Sequence, residues 1–163
     1  MTTTDASAPF VITGFIASER LAANLQRLLV DLIALHLQGK QAHWNLIGHN
    51  FRDLHLQLDE IVDDAREASD TIAERMRALG ATPDGRAPTV VANATLKPLP
   101  AGEIHTSNVV DLITGSLRSV AGTARQIHDE VDAEDPSTTD LLHSIIVQLE
   151  KSAWMLSAEN RGN

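Results

Sequence analysis

Four side chains, His55, Asp59, Asp70 and Glu74, recur at spacings of four, eleven and four residues within one predicted helix. At about 100° of rotation per residue they point within roughly 100° of one another. One helix face therefore carries a ribbon of imidazole and carboxylate, and folding alone gives no reason for it. On the preceding predicted helix His43, in Gln41-Ala42-His43-Trp44-Asn45, adds a fifth metal-compatible side chain.

The ribbon constrains the fold because it cannot close on one ion by itself. His55 and Asp70 are fifteen residues apart, which is about 22 Å along a helix. Metal ligands must converge within about 2–2.5 Å of the ion. The two ends cooperate most simply when a second copy of the helix lies antiparallel beside the first. The midpoint of the four ligands falls between Asp64 and Ala65. A two-fold axis there sets His55 and Asp59 of one copy against Asp70 and Glu74 of the other, and symmetry makes two identical sites. The expectation is an intersubunit metal site.

Apolar periodicity supplies the helices. Ser18 is a plausible N-cap, and Leu21, Leu25, Leu28, Leu32 and Leu35 follow at helical spacing. This first helix is expected to end near Ile47-Gly48, with Gly39 inside it a tolerated cost. Asn50 is the expected N-cap of a second helix that runs to Leu79 and stops at Gly80. Two long helices with a short joint predict an antiparallel hairpin. Residues 81–105 hold Pro83, Pro88, Pro98 and Pro100 and read as a crossover, with one short helix around Thr89–Ala94. Thr106 or Ser107 caps a third helix to about Val131. Asp132-Ala133-Glu134-Asp135-Pro136 breaks it, and a fourth runs from about Ser137 to Glu159. The fold class is therefore all-α: a four-helix bundle of ferritin-like topology, with a long crossover between helices two and three. At 163 residues it is one domain, read as an arm over 1–17 and a bundle over 18–163.

Composition removes several function classes. The chain has no cysteine, which excludes disulfides, thiolate metal sites and Cys nucleophiles. No apolar run is long enough to span a membrane, and no basic segment followed by an apolar stretch opens the sequence. A cytoplasmic location is the expectation. Thirteen basic against twenty-two acidic residues leave a net charge of −9, which suits cations and opposes a general phosphate-binding surface.

The set Gln41-Ala42-His43-Trp44-Asn45, His55-(x3)-Asp59 and Asp70-(x3)-Glu74, the last within Asp70-Thr71-Ile72-Ala73-Glu74-Arg75, resembles the Dps family. These are the mini-ferritins, DNA-binding proteins from starved cells, and the wording is most similar to the actinobacterial branch. The likeness runs from the first helix to Glu150-Lys151-Ser152-Ala153-Trp154 in the fourth. The resemblance implies a hollow dodecameric shell with a two-iron ferroxidase centre at each two-fold interface. His43 and His55 would come from one subunit and Asp70 and Glu74 from the other, with Asp59 bridging or orienting the second iron. It further implies oxidation of Fe(II), typically by hydrogen peroxide, storage of Fe(III) mineral and protection against oxidative damage. Imidazole and carboxylate together suit Fe(II), and Trp44 beside His43 is a candidate radical trap, set against simple interface packing.

The acids Asp129, Glu130, Asp132, Glu134, Asp135 and Asp140 lie between helices three and four, where the family builds an acidic three-fold pore for iron entry. Asp135 and Asp140 are the candidate pore residues, set against a solvated helix junction. His36 shares a face with His43, seven residues on, and is read as a secondary contact or a packed histidine. His49, His105, His128 and His143 receive no role. Direct DNA binding is expected to be weak or absent at physiological salt: residues 1–17 hold no lysine or arginine, and twelve copies would carry 12 × −9 = −108. Two rival readings are a metal-dependent hydrolase at the same site and a nucleoid-associated, DNA-protecting protein.

Overall fold

The computed structural model describes residues 14–161. In chain order the elements are α1 (Glu19–Asn45), β1 (Leu46–Ile47), α2 (Phe51–Ala78), α3 (Ala87–Asn93), β2 (Ile104–His105), α4 (Thr106–Glu134) and α5 (Pro136–Ala158). Most of the expected arm, residues 1–13, lies outside the described residues. At its end the Ala17 N–H donates to the Leu79 carbonyl at 2.9 Å.

Local chemistry starts and stops the long helices. The Ser18 hydroxyl accepts from the Leu21 N–H at 3.1 Å, the N-cap expected of it. Leu21, Leu25, Leu28, Leu32 and Leu35 are all buried. At the end of α2, Gly80 takes φ +78°. Its N–H reaches the Arg77 carbonyl at 3.1 Å, and the Ala81 N–H reaches Met76 at 2.9 Å. That pair of bonds is a Schellman motif, which a left-handed glycine permits.

Gly39 is more than a tolerated cost. A Cβ there would lie 2.8 Å from Val62 Cγ2, so the missing side chain lets α1 and α2 approach closely.

Three boundaries and one capping bond differ from expectation. α1 stops at Asn45, because Leu46 and Ile47 are extended and pair in parallel with Ile104 and His105. Asn50 does not cap α2 with its side chain; it adopts φ 56° and its amide donates to Glu159 instead. Neither Thr106 nor Ser107 caps α4, whose N-cap position is His105, without a side-chain bond. Finally, α4 continues to Glu134, so most of the acidic run is helical, and the break narrows to Asp135 before Pro136 at the start of α5.

The topology follows from these joints. α1 packs against α2 and α4 against α5, while α1 also lies along α4. The β1–β2 pairing puts the end of α1 beside the start of α4. At the opposite end the Ser18 N–H and hydroxyl both donate to the Glu134 carboxylate, at 2.8 and 2.6 Å. Thus α1 and α5 run one way, α2 and α4 the other, and the crossover returns along the bundle.

A fully buried carboxylate, Asp31, holds that crossover. It accepts from the Thr95 N–H at 2.7 Å and from the hydroxyls of Thr95 and Thr123 at 2.9 and 2.7 Å. Buried charge is costly unless it is satisfied in this way. Among the described residues no helix is long and apolar enough to cross a membrane.

Candidate metal centre

His43 arrives in the last turn of α1 and His55 in the second turn of α2. The tight hairpin stacks their rings, with centroids 3.6 Å apart and planes 22° from parallel. Phe51, one turn before His55, also stacks on its ring, with centroids 5.3 Å apart. Each histidine also binds the other's backbone. His43 Nδ1 lies 2.9 Å from the His55 carbonyl oxygen, and His55 Nδ1 lies 3.0 Å from that of His43. The His43 carbonyl is among the last four of α1, which a helix leaves without internal partners.

These bonds decide the tautomers. A carbonyl oxygen only accepts, so both Nδ1 atoms carry a proton, and in the neutral rings both Nε2 atoms keep their lone pairs. Neutral imidazole with a bare Nε2 and an engaged Nδ1–H is the form that ligates metal.

Asp59 stands one turn beyond His55, on the Nδ1 side of His43. Its Oδ1 is 3.3 Å from that nitrogen and also accepts from the Lys40 ammonium. The Lys40 hydrogen bond holds the Asp59 carboxyl below the usual carboxylate range, with the nearby His43 adding to the effect. As it stands, Asp59 orients His43 from behind. Lys40 and Phe51 escaped the sequence reading. Each nonetheless lies one helical turn from a histidine (Lys40 three residues before His43, Phe51 four before His55), a spacing that puts them on the same face.

Asp70 and Glu74 lie far along α2 and are exposed. Asp70 borders a groove with His36, Arg66, Ala73 and Pro83, so His36 lies toward the acidic end of the ribbon. Its Nδ1 is buried without a hydrogen bond, and burial, helped by Arg66, lowers its pKa. Among the described residues of one protomer, no three His, Asp or Glu side chains converge as metal ligands. The histidine pair is brought together; the carboxylate pair is held apart from it.

The other candidates fall elsewhere. Trp44 is 68% exposed. Asp140 is exposed, but Asp135 is buried and committed within its own protomer. It accepts from Arg75 at 2.7 Å and from the Thr138 hydroxyl, so it is a poor pore lining: its charge is already neutralised. Burial raises the Asp135 pKa, but the bonds from Thr138 and Arg75 outweigh it and the net shift is downward. Two other acids of the run, Glu130 and Glu134, tie α4 to Asn24 and Ser18.

Helix order, crossover and a paired-histidine site define a ferritin-like four-helix protein, and comparison with known proteins agrees. The ferritin-like domain model matches residues 22–161. DNA protection during starvation protein 2 of Deinococcus radiodurans is 36% identical over 134 residues, 82% of this chain; the chain spans 56% of that relative's length. The crystal structure of Dps92 from Deinococcus radiodurans superposes with a TM-score of 0.85 at 33% identity, covering 89% of this chain and 88% of that one. Dps from Microbacterium arborescens, solved in a high-iron form, gives 0.82 at 31% identity, covering 90% and 98%. The chain belongs to the Dps family.

Proposed function

We propose that this protein captures and oxidises Fe(II) at a site completed by a second copy of the chain, and stores the Fe(III) product within a closed shell. The observation that carries this reading is the histidine pair: two stacked rings whose Nδ1 protons are engaged by backbone and whose Nε2 lone pairs are bare.

The partner half follows from symmetry. With the two-fold axis between residues 64 and 65, His55 faces Glu74 of the second copy and Asp59 faces its Asp70. At the same height the exposed Asp63 meets Arg66, an opposite-charge pair formed twice. Leu37, Trp44 and Leu56 on the flanking faces of α1 and α2 are exposed apolar side chains, at 54, 68 and 46%. Exposed apolar groups of this size beside a half-built site support a self-interface. Trp44 fits that packing role as well as the radical-trap role.

With both halves joined, imidazole and carboxylate hold Fe(II), and carboxylate favours the harder Fe(III) product. Two Fe(II) ions each give one electron to a peroxide. Its O–O bond breaks, two protons are taken up, and two waters leave. Two electrons drawn at once spare the release of hydroxyl radical, which is the protective element of the reading. Related proteins named for protecting DNA during starvation and one solved with abundant iron support it.

The test mixes the assembled protein with Fe(II) and hydrogen peroxide. Rapid oxidation at two Fe(II) per peroxide with little hydroxyl radical is the expected result. One-electron stoichiometry with abundant radical would refute it.

A further inference from the structure

A second histidine pair lies outside the proposed iron site. His128 on α4 and His143 on α5 point their Nε2 atoms at each other, 2.9 Å apart. Their ring centroids are 5.0 Å apart and the planes are tilted by 34°. Behind each ring stands a carboxylate. His128 Nδ1 lies 2.8 Å from Asp129 Oδ1, and His143 Nδ1 lies 3.7 Å from Asp140 Oδ1.

A carboxylate only accepts, so Asp129 draws the His128 proton onto Nδ1 and leaves the His128 Nε2 lone pair facing His143. Asp140, at 3.7 Å, is beyond hydrogen-bond reach and only favours the same tautomer of His143. Two lone pairs at 2.9 Å repel unless a cation lies between them. If His143 instead donates from Nε2 to His128, its bare Nδ1 faces the Asp140 carboxylate at 3.7 Å, which like polarity disfavours. Arg125 borders the same groove, but Glu150 holds its guanidinium at 2.6 Å. An added positive charge between the rings removes both conflicts.

We propose that His128 and His143 form a second, independent divalent-metal site, suited to Cu(II) or Ni(II). At imidazole–metal bonds of about 2.0–2.1 Å, nitrogens 2.9 Å apart subtend about 90° at the ion. That is the angle between neighbouring donors in the tetragonal geometry of these metals. A tetrahedral zinc would need the nitrogens about 3.4 Å apart. The side chains are 29 and 56% exposed, so water completes the coordination, and the protein supplies two donors. Asp129 fixes His128 in the ligating tautomer, Asp140 favours it in His143, and the surrounding negative charge attracts the ion. This also gives Asp140 a function that needs no pore.

The test titrates Cu(II) into assembled protein carrying His43→Ala and His55→Ala, which removes the first histidine pair. Calorimetry and electron paramagnetic resonance are expected to show one tight Cu(II) per subunit with hyperfine coupling to two nitrogens. Adding His128→Asn and His143→Asn should abolish that ion and leave the particle size and melting temperature unchanged. Unmutated crystals soaked in Cu(II) give a readout free of any folding effect: anomalous density is expected between the two rings. Equal Cu(II) binding after the asparagine substitutions, or crystals with no density between the rings, would overturn the proposal in favour of a pair that shares only a proton.

Discussion

The two ends of α2 carry the same kind of chemistry and are built very differently. At the start, His55 stacks with His43 and Phe51 and is bonded to backbone through Nδ1. Nineteen residues on, Glu74 is an exposed carboxylate, and Asp70 is exposed beside an open groove. In the proposed iron site, one half is preorganised by its own protomer, and the other half is exposed on the surface where a second copy would meet it. Imidazoles need their proton placed before they can ligate, which a hairpin can do alone. Carboxylates need only arrive, which symmetry can do later.

Several measurements break or sharpen that contrast. The largest effect is expected for His43→Ala with His55→Ala, which should slow the fast phase of Fe(II) oxidation by more than about 100-fold in stopped-flow absorbance, beyond the loss that outer partners of a metal site cause. Asp70→Asn with Glu74→Gln should slow the same phase comparably. Their exposure predicts a different stability outcome: denaturant melts should change by less than about 0.5 kcal/mol. If the carboxylate variants unfold early, the two halves are not built as differently as their surroundings indicate.

Lys40→Ala should slow oxidation by about 10-fold without abolishing it, since it acts through Asp59 and only indirectly on His43. The smallest effect concerns acid stability beside Glu74, where Arg75 binds Asp135. The Asp135 pKa is lowered on folding, so its contribution is complete above the ordinary carboxylate range and is lost as pH falls through the depressed value. Asp135→Asn should therefore be less stable than the parent near neutrality, and thermal melts should converge below about pH 4. Curves that stay parallel well below that pH would mean that the Asp135 charge contributes nothing.

Much of this was legible in the sequence because helices repeat simply. The leucine spacing of α1, the Ser18 cap and the Gly80 stop each depend on neighbours within one turn, and the ligand ribbon depends only on helical rotation. What failed depended on distant partners. Asn50 spends its amide on Glu159, and Leu46–Ile47 leave the helix to pair with Ile104–His105. Asp135 was read as a candidate pore residue, and nothing near it in sequence announces its bond to Arg75, sixty residues earlier. His128 and His143 looked unrelated for the same reason, since their helices reverse between them. Lys40 was readable at helical spacing, but its partner Asp59 is on the other arm of the hairpin.

Shared ownership of the iron site is tested most directly by mixing two inactive variants. His55→Ala protein and Glu74→Ala protein are unfolded together, reassembled at equal ratio, and assayed for Fe(II) oxidation. In a mixed pair one site inherits both defects while the other inherits neither, so random pairing restores about a quarter of all sites. Recovery to about that fraction of the wild-type rate is the expected result. A mixture as inactive as its two parents would place every ligand within one protomer and contradict the shared site.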